Sequence, residues 1–207
     1  YKAKKISRSY NVPWYVNYRK MLKDNPDINT VAIITPSGMH YEHSIEMLRD
    51  YKKNIIVEKP TFMNPDELNL AYMEADKNNL KIFPVFQNRY NKAVSFVKES
   101  IINRDLGDIR TISVRAQWCR TQDYYELAPW RGTFSHDGGA LANQGIHHVD
   151  LLRYFGGEVD KVNCIMRTLG VDVEVEDTIV STCAYDNSSV ATLEVTTAAR
   201  PEIGRAS

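Results

Sequence analysis

Three short apolar runs, separated by two segments of helical periodicity, limit the fold of this chain more than anything else in it. Val31, Ala32, Ile33 and Ile34 form the first, Asn54, Ile55, Ile56 and Val57 the second, and residues 81–86 the third. A strand buried on both faces reads as a short continuous apolar run of this kind. Between the first two runs, Ile45, Met47, Leu48 and Tyr51 recur among charged residues. Between the second and third, Asn64-Pro65-Asp66-Glu67 opens a helix that extends to about Asn78. The Asn caps it, the Pro suits the first helical position, and the two acids face the positive end of the helix dipole. Strand, helix, strand, helix, strand predicts a parallel sheet with right-handed crossovers.

Ligands of such a sheet bind beyond the carboxyl ends of its strands. Those ends carry Thr35 and Ser37, then Glu58 and Lys59, then Gln87, Asn88 and Arg89. Lys59 is the most informative of these. It follows a buried strand directly, and Pro60 fixes the turn after it. A half-buried Lys there has a lowered pKa and can pass protons on; the alternative is a solvated lysine in an ordinary strand-to-helix loop.

The character changes near Asn91. Residues 92–104 are an amphipathic helix, and residues 109–118 alternate as a strand. A long loop follows over residues 119–137, dense in polar and aromatic groups. Structureless loops of that length are uncommon unless they serve a function. A helix is expected over residues 138–155, stopped by Gly156-Gly157, and then strands over 159–169, 175–185 and 190–197, the last two as a hairpin around Asp186-Asn187-Ser188. The expected architecture is therefore α/β: a parallel sheet with its crossover helices up to about residue 90, followed by an antiparallel α+β unit.

On the second-half helix, Asn143, His147 and Asp150 are spaced i, i+4, i+7 and share one face. Gly138, Gly139 and Gly145 leave the backbone bare for close approach. His147 is either a site residue or a satisfied half-buried histidine, and Asn143 either a ligand-binding or a helix-packing amide. His40 and His43 lie three apart on a helix, but no third ligand stands at a recognisable spacing, so no metal site is expected. His40 is expected beside whatever the Thr35-Pro36-Ser37 turn binds.

Composition excludes several classes. The 207 residues carry 26 basic and 26 acidic groups, for a formal net charge of zero, so neither nucleic acid nor an anionic membrane is an expected partner. No apolar stretch approaches bilayer length. The cysteines Cys119, Cys164 and Cys183 are far apart and odd in number, which argues for a reducing, cytoplasmic compartment.

Four segments occur in an order that resembles the Gfo/Idh/MocA oxidoreductases: Thr35-Pro36-Ser37-Gly38-Met39-His40, Val57-Glu58-Lys59-Pro60, Gln87-Asn88-Arg89-Tyr90-Asn91, and the glycine-led stretch from Gly138 through Asn143 to His147. The resemblance runs along essentially the whole chain, and it implies an incomplete Rossmann-type parallel sheet over residues 1–90 followed by an α+β domain with an open, mostly antiparallel sheet over residues 91–207. It implies NAD or NADP as cofactor, a sugar or polyol as substrate, and a homo-oligomer packed through the open sheet. It also implies Lys59, His147 and Asn143 as the catalytic group. Thr35, Pro36, His40, Glu58, Lys59 and Asn88 would line the cofactor edge, with Trp130 and Arg131 reaching back from the loop. Arg120, Tyr124 and Tyr125, with Asn143 and His147, would meet the substrate. The alternatives are a packing role for Trp130 and a solvated one for the two arginines.

Two departures from the family pattern stand out. No Gly-x-Gly occurs among the ten glycines. The family's first strands and phosphate-binding turn would precede Tyr1, and further strands would follow Ser207, so the resemblance makes this chain an internal slice of a longer polypeptide. Members also commonly carry Asp where this chain has Asn143, and Asn can orient but cannot take a proton. The segments Asn143-Gln144-Gly145-Ile146-His147-His148, Pro129-Trp130-Arg131-Gly132-Thr133 and Thr196-Thr197-Ala198-Ala199-Arg200-Pro201 look most like the nucleotide-sugar branch. Those enzymes oxidise the 3-hydroxyl of UDP-linked N-acetylglucosaminuronic acid. An inositol or simple-sugar dehydrogenase and a non-catalytic nucleotide-binding member are the other expectations.

Overall fold

The computed structural model describes residues 2–200. Tyr1 and residues 201–207, which include the last proline of the 196–201 motif and the end of the expected second domain, lie outside them.

The chain opens with helices α1 (Lys2–Tyr10) and α2 (Tyr18–Asp24). The second was not expected from periodicity. Asn17 caps it, its side chain accepting the Arg19 and Lys20 N–H groups. Strand β1 (Thr30–Ile33), a short 3-10 turn (Ser37–Met39), helix α3 (His40–Arg49), strand β2 (Asn54–Val57), helix α4 (Pro65–Lys77) and strand β3 (Ile82–Pro84) follow. The strands form a parallel sheet in the order β1-β2-β3. The Asn64 side chain accepts the Glu67 N–H at 2.9 Å, which is the cap expected for α4.

One face of this sheet is covered. Ile33, Ile55, Val57 and Ile82 pack with Met47 and Leu48 of α3 and with Ala71 and Ala75 of α4. Burying each large aliphatic side chain contributes roughly 1.5–3 kcal/mol. On the other face, Ala32, Ile56 and Phe83 stand in register across the three strands, and Ile56 and Phe83 are 40% and 51% exposed.

A 3-10 turn (Gln87–Tyr90) leads to α5 (Lys92–Ile102), β4 (Thr111–Gln117) and α6 (Gln122–Glu126). Residues 119–137 are therefore not loop throughout, as α6 interrupts them. The expected helix over residues 138–155 is instead two segments in tandem: a π-helical stretch (Ala140–Gly145) running directly into α7 (Ile146–Gly156). Strands β5 (Val159–Arg167), β6 (Thr178–Tyr185) and β7 (Val190–Thr196) complete a second sheet in the order β4-β7-β6-β5. Its β5/β6 and β6/β7 pairs are antiparallel and its β4/β7 pair is parallel. Ala116, Ile179, Ala191, Leu193 and Val195 of the sheet form its core with Ala140 and Leu152 of the rod. The rod lies close because Gly145 has no side chain: a Cβ there would sit 2.9 Å from Val195 Cγ2. The edge strand β5 is exposed along all nine residues. Among the described residues no helix is long and apolar enough to cross a membrane.

Candidate active site

The π segment and α7 present one side to the second sheet and the other to the carboxyl ends of the first. Three residues on that second side meet the exits of two strands. Lys59, directly after β2, donates through Nζ to the Asn143 carbonyl oxygen at 2.6 Å and to Asn143 Oδ1 at 3.2 Å. Gln87, after β3, has its Nε2 3.3 Å from His147 Nε2. Arg89, two residues on, holds Asp150 through Nε–Oδ2 at 2.8 Å and Nη2–Oδ1 at 2.5 Å. The expected i, i+4, i+7 face therefore exists, although its first member lies in a π turn. Such turns occur mostly as single insertions in α-helices and often at functional sites.

Electrostatics tie Lys59 to His147. Burial lowers the Lys59 pKa; Glu58 and then Asp137 oppose the shift, and Arg131 adds to it. Burial also lowers the His147 pKa, with further lowering from Lys59 and His148. With the Gln87 amide nitrogen donating, His147 Nε2 carries the lone pair and Nδ1 the proton; this orientation is assigned from the contact. Nδ1 is buried and has no hydrogen-bond partner among the described residues. The ring also meets Phe86 edge-on, with centroids 6.4 Å apart. An imidazole kept neutral by burial and by a nearby amine is suited to taking a proton.

The rest of the expected cofactor edge divides. Thr35, Pro36, Glu58 and Asn88 are half-buried at the strand exits. Thr35 Oγ1 contacts His43 Nδ1 at 3.3 Å, and Glu58 accepts the Lys59 N–H at 3.1 Å. His40 corrects the expectation. It is 1% exposed, and its ring nitrogens lie 2.8 Å from the Pro60 carbonyl and 2.9 Å from that of Thr35. With both nitrogens engaged and almost no surface, it is a strut joining two strand-exit loops from beneath.

The loop cluster divides as well. Tyr124 has two guanidinium groups over its ring, Arg120 at 4.9 Å and Arg131 at 4.3 Å from the centroid. Its hydroxyl accepts from Arg131 Nη1 and, at 3.2 Å, from Gln144 Nε2. Arg131 also covers Trp130 at 4.8 Å. This cluster lies beside the rod, since Gln144 adjoins Asn143. Tyr125 does not belong to it as a ligand contact. It is 8% exposed, its hydroxyl bonds Thr197 Oγ1 at 3.1 Å, and it packs edge-on to Tyr124.

Three groups escaped the sequence reading. Asp137, 4% exposed, accepts from the Asn143 amide. Glu176 accepts the Leu141 N–H at 2.9 Å at the start of the π turn. Gln87 was seen at a strand exit, but its pairing with His147 was not. Asp137 stood in the sequence six residues before Asn143; nothing local marked it as facing inward.

Residues 1–86 match the family model described as the oxidoreductase family with an NAD-binding Rossmann fold, and residues 94–205 match the GFO/IDH/MocA C-terminal domain. The chain belongs to the Gfo/Idh/MocA oxidoreductases. Among solved members, the WlbA dehydrogenase from Chromobacterium violaceum, in complex with NADH and UDP-GlcNAcA, superposes with a TM-score of 0.91 at 32% identity, over 97% of this chain and 57% of that one. Levoglucosan dehydrogenase from Pseudarthrobacter phenanthrenivorans is 28% identical over 199 residues, covering 84% of this chain and 50% of the relative. The NADP-dependent scyllo-inositol 2-dehydrogenase IolW of Bacillus subtilis is 26% identical over 156 residues, 75% of this chain and 42% of the relative. The chain thus spans about half the length of the curated Gfo/Idh/MocA relatives it matches.

A nicotinamide cofactor fits the residues present. The exits of three parallel strands offer half-buried polar side chains on one edge, and the buried Arg131 Nε has no hydrogen-bond partner among the described residues. The glycine-rich turn that seats a pyrophosphate is not part of this sequence.

Proposed function

We propose that this chain carries the substrate-facing part of a nicotinamide-dependent dehydrogenase that oxidises a secondary hydroxyl of a sugar, and that the sugar is a nucleotide-linked uronic acid. The observation that carries this reading is the hydrogen bond of Lys59 to the π turn four residues before His147. It supports the reading because it sets an amine at a strand exit against the rod one turn before the imidazole.

The bound cofactor, NAD or NADP, supplies the hydride acceptor for the carbinol C–H. His147 takes the hydroxyl proton at Nε2, the substrate hydroxyl displacing the Gln87 amide there, and its neutral form is held ready by burial and by the nearby Lys59 charge. Lys59 donates to the same oxygen and stabilises its developing negative charge. Asn143 receives Lys59 and turns it toward the cleft. Thr35, Pro36, Glu58, Asn88 and Trp130 form the cofactor edge. Arg120 and Arg131, both over the Tyr124 ring, bind the carboxylate or diphosphate, because guanidinium groups grip such anions at two points. The relative crystallised with UDP-GlcNAcA supports an anionic, nucleotide-bearing substrate. The levoglucosan dehydrogenase match favours an uncharged sugar as the second reading. The division into a nucleotide unit up to residue 90 and a substrate unit beyond it belongs to the same proposal, as does a homo-oligomer formed through the open sheet.

The test is cofactor fluorescence with the full-length protein. Reduced nicotinamide should appear with a UDP-linked uronic acid and not with inositol or levoglucosan. Turnover with levoglucosan alone selects the second reading, and tight NAD binding without reduction by any sugar overturns both.

A further inference from the structure

An asparagine amide has a donor end and an acceptor end, and nothing in the residue itself decides which way round it lies. At Asn143 a buried carboxylate decides. Asp137 Oδ2 accepts the Gly132 N–H at 2.8 Å, and its Oδ1 accepts from Asn143 Nδ2. An ionised carboxylate can only accept, so the amide nitrogen must face it. Oδ1 of Asn143 is then turned to the opposite side, where the Lys59 ammonium lies 3.2 Å away. Both groups that bond Asp137 here are neutral, so its charge is not cancelled by a cation at hydrogen-bond range in these contacts. Lys59 feels that charge across the amide.

We infer that Asp137 is a positioning residue: through Asn143 it fixes the side-chain acceptor that, beside the Asn143 carbonyl, aims the Lys59 amine, and with Glu58 it supplies the negative charge that this amine faces. The arrangement explains how a chain with Asn at position 143 keeps a carboxylate in the relay, one hydrogen bond further from Lys59 and shielded from water. The catalytic consequence rests on the dehydrogenase reading above; the effect on Lys59 does not.

The charged and titratable groups around Lys59 are Glu58 beside it, Asp137 behind Asn143, Arg131 from the loop and His147 from the rod. Glu58 and Asp137 hold its proton on, while burial and Arg131 work against them. Neutralising Asp137 therefore makes the amine more acidic. It also leaves an amide facing an amide, so Asn143 can turn its donor toward Lys59.

The experiment follows the pH dependence of Lys59 acetylation by acetic anhydride, read by peptide mass spectrometry, in the full-length protein and three variants. In Asp137→Asn the midpoint should move to lower pH. In Asn143→Asp, which leaves Asp137 and its Gly132 bond in place, it should move to higher pH. In the exchange Asp137→Asn with Asn143→Asp, one carboxylate and one amide again meet, and the midpoint should return to or pass the wild-type value. Turnover should split the same way. Asp137→Asn should lower kcat roughly 10- to 100-fold with little change in KM, as expected of a misaimed group, and the exchange should regain most of it.

An unchanged Lys59 midpoint in folded Asp137→Asn overturns the inference. If that variant does not fold, an unchanged midpoint in Asn143→Asp does the same. A wild-type protein that reduces no nicotinamide with any sugar sinks the dehydrogenase reading and leaves the acetylation result standing on its own.

Discussion

Lys59 and His147 are set against each other by burial and by mutual charge, and their removal should separate chemistry from binding. His147→Ala and Lys59→Ala should each lower turnover about 100- to 10,000-fold, the usual cost of losing a placed acid–base group. Nucleotide affinity, followed by fluorescence quenching, should hardly change. The direction of the His147 shift also fixes the pH profile. An unperturbed imidazole titrates near 6.5, and His147 lies below its ordinary value. The acid limb of kcat/KM should therefore fall below about pH 6.5. In Lys59→Met, which removes one of the lowering charges, that limb should move up. Stability has the same sign: the contribution is present above the unfolded value and is lost as pH falls through the lower folded one. At this scale the sequence singled out Lys59, Asn143 and His147, where chemistry and spacing coincide, and the structure sets these side chains near one another. It was not readable for His40 and Tyr125, which have the right side chains for ligand contact but point into packed backbone. Residue type does not say which way a side chain faces.

The rod from Ala140 to Gly156 shows what periodicity can and cannot deliver. Its apolar and polar faces follow helical spacing, so a helix was expected there. The wider turn at its start was not, because a π segment differs by one residue and leaves no pattern of its own. Its cause is outside the rod. Glu176, on the approach to β6, accepts the Leu141 N–H, and its backbone carbonyl accepts the Ala140 N–H at 2.9 Å. Gly139 turns into this seat with φ 89° and ψ −179°, a region open almost only to glycine. A Cβ on Gly139 would lie 2.0 Å from Glu176 Oε2. Gly139→Ala should thus destabilise by roughly 2–4 kcal/mol from backbone strain and overpacking combined, measurable as a lower urea midpoint. The strands and α3 to α5 were more legible because their caps and apolar runs act locally. Helix α2 was missed since it is short, and its Asn17 cap precedes too few apolar residues to raise a periodic signal.

Across the whole molecule, two sheets with separate cores meet along the rod. The architecture of each was visible in the order of its elements; the meeting was expected only through the family resemblance, because Lys59 and Asn143 are 84 residues apart in sequence and no local rule pairs them. Arg89 and Asp150 anchor the far end of that meeting, with Asp150 only 9% and Arg89 37% exposed. Asp150→Asn should cost roughly 1–2 kcal/mol, the low end for charge-assisted hydrogen bonds because the arginine is partly in water. Amide exchange should quicken over residues 87–90 more than in β6. Lys59, Gln87 and Arg89 reach the rod at successive levels, so it works like a key with three cuts in one lock. A single residue added or removed between Asn143 and His147 would spare the Lys59 contact but lose the two beyond it together. It would swing every later side chain about a quarter turn away from its partner, which makes the length of that short stretch as exacting as the identity of the residues in it.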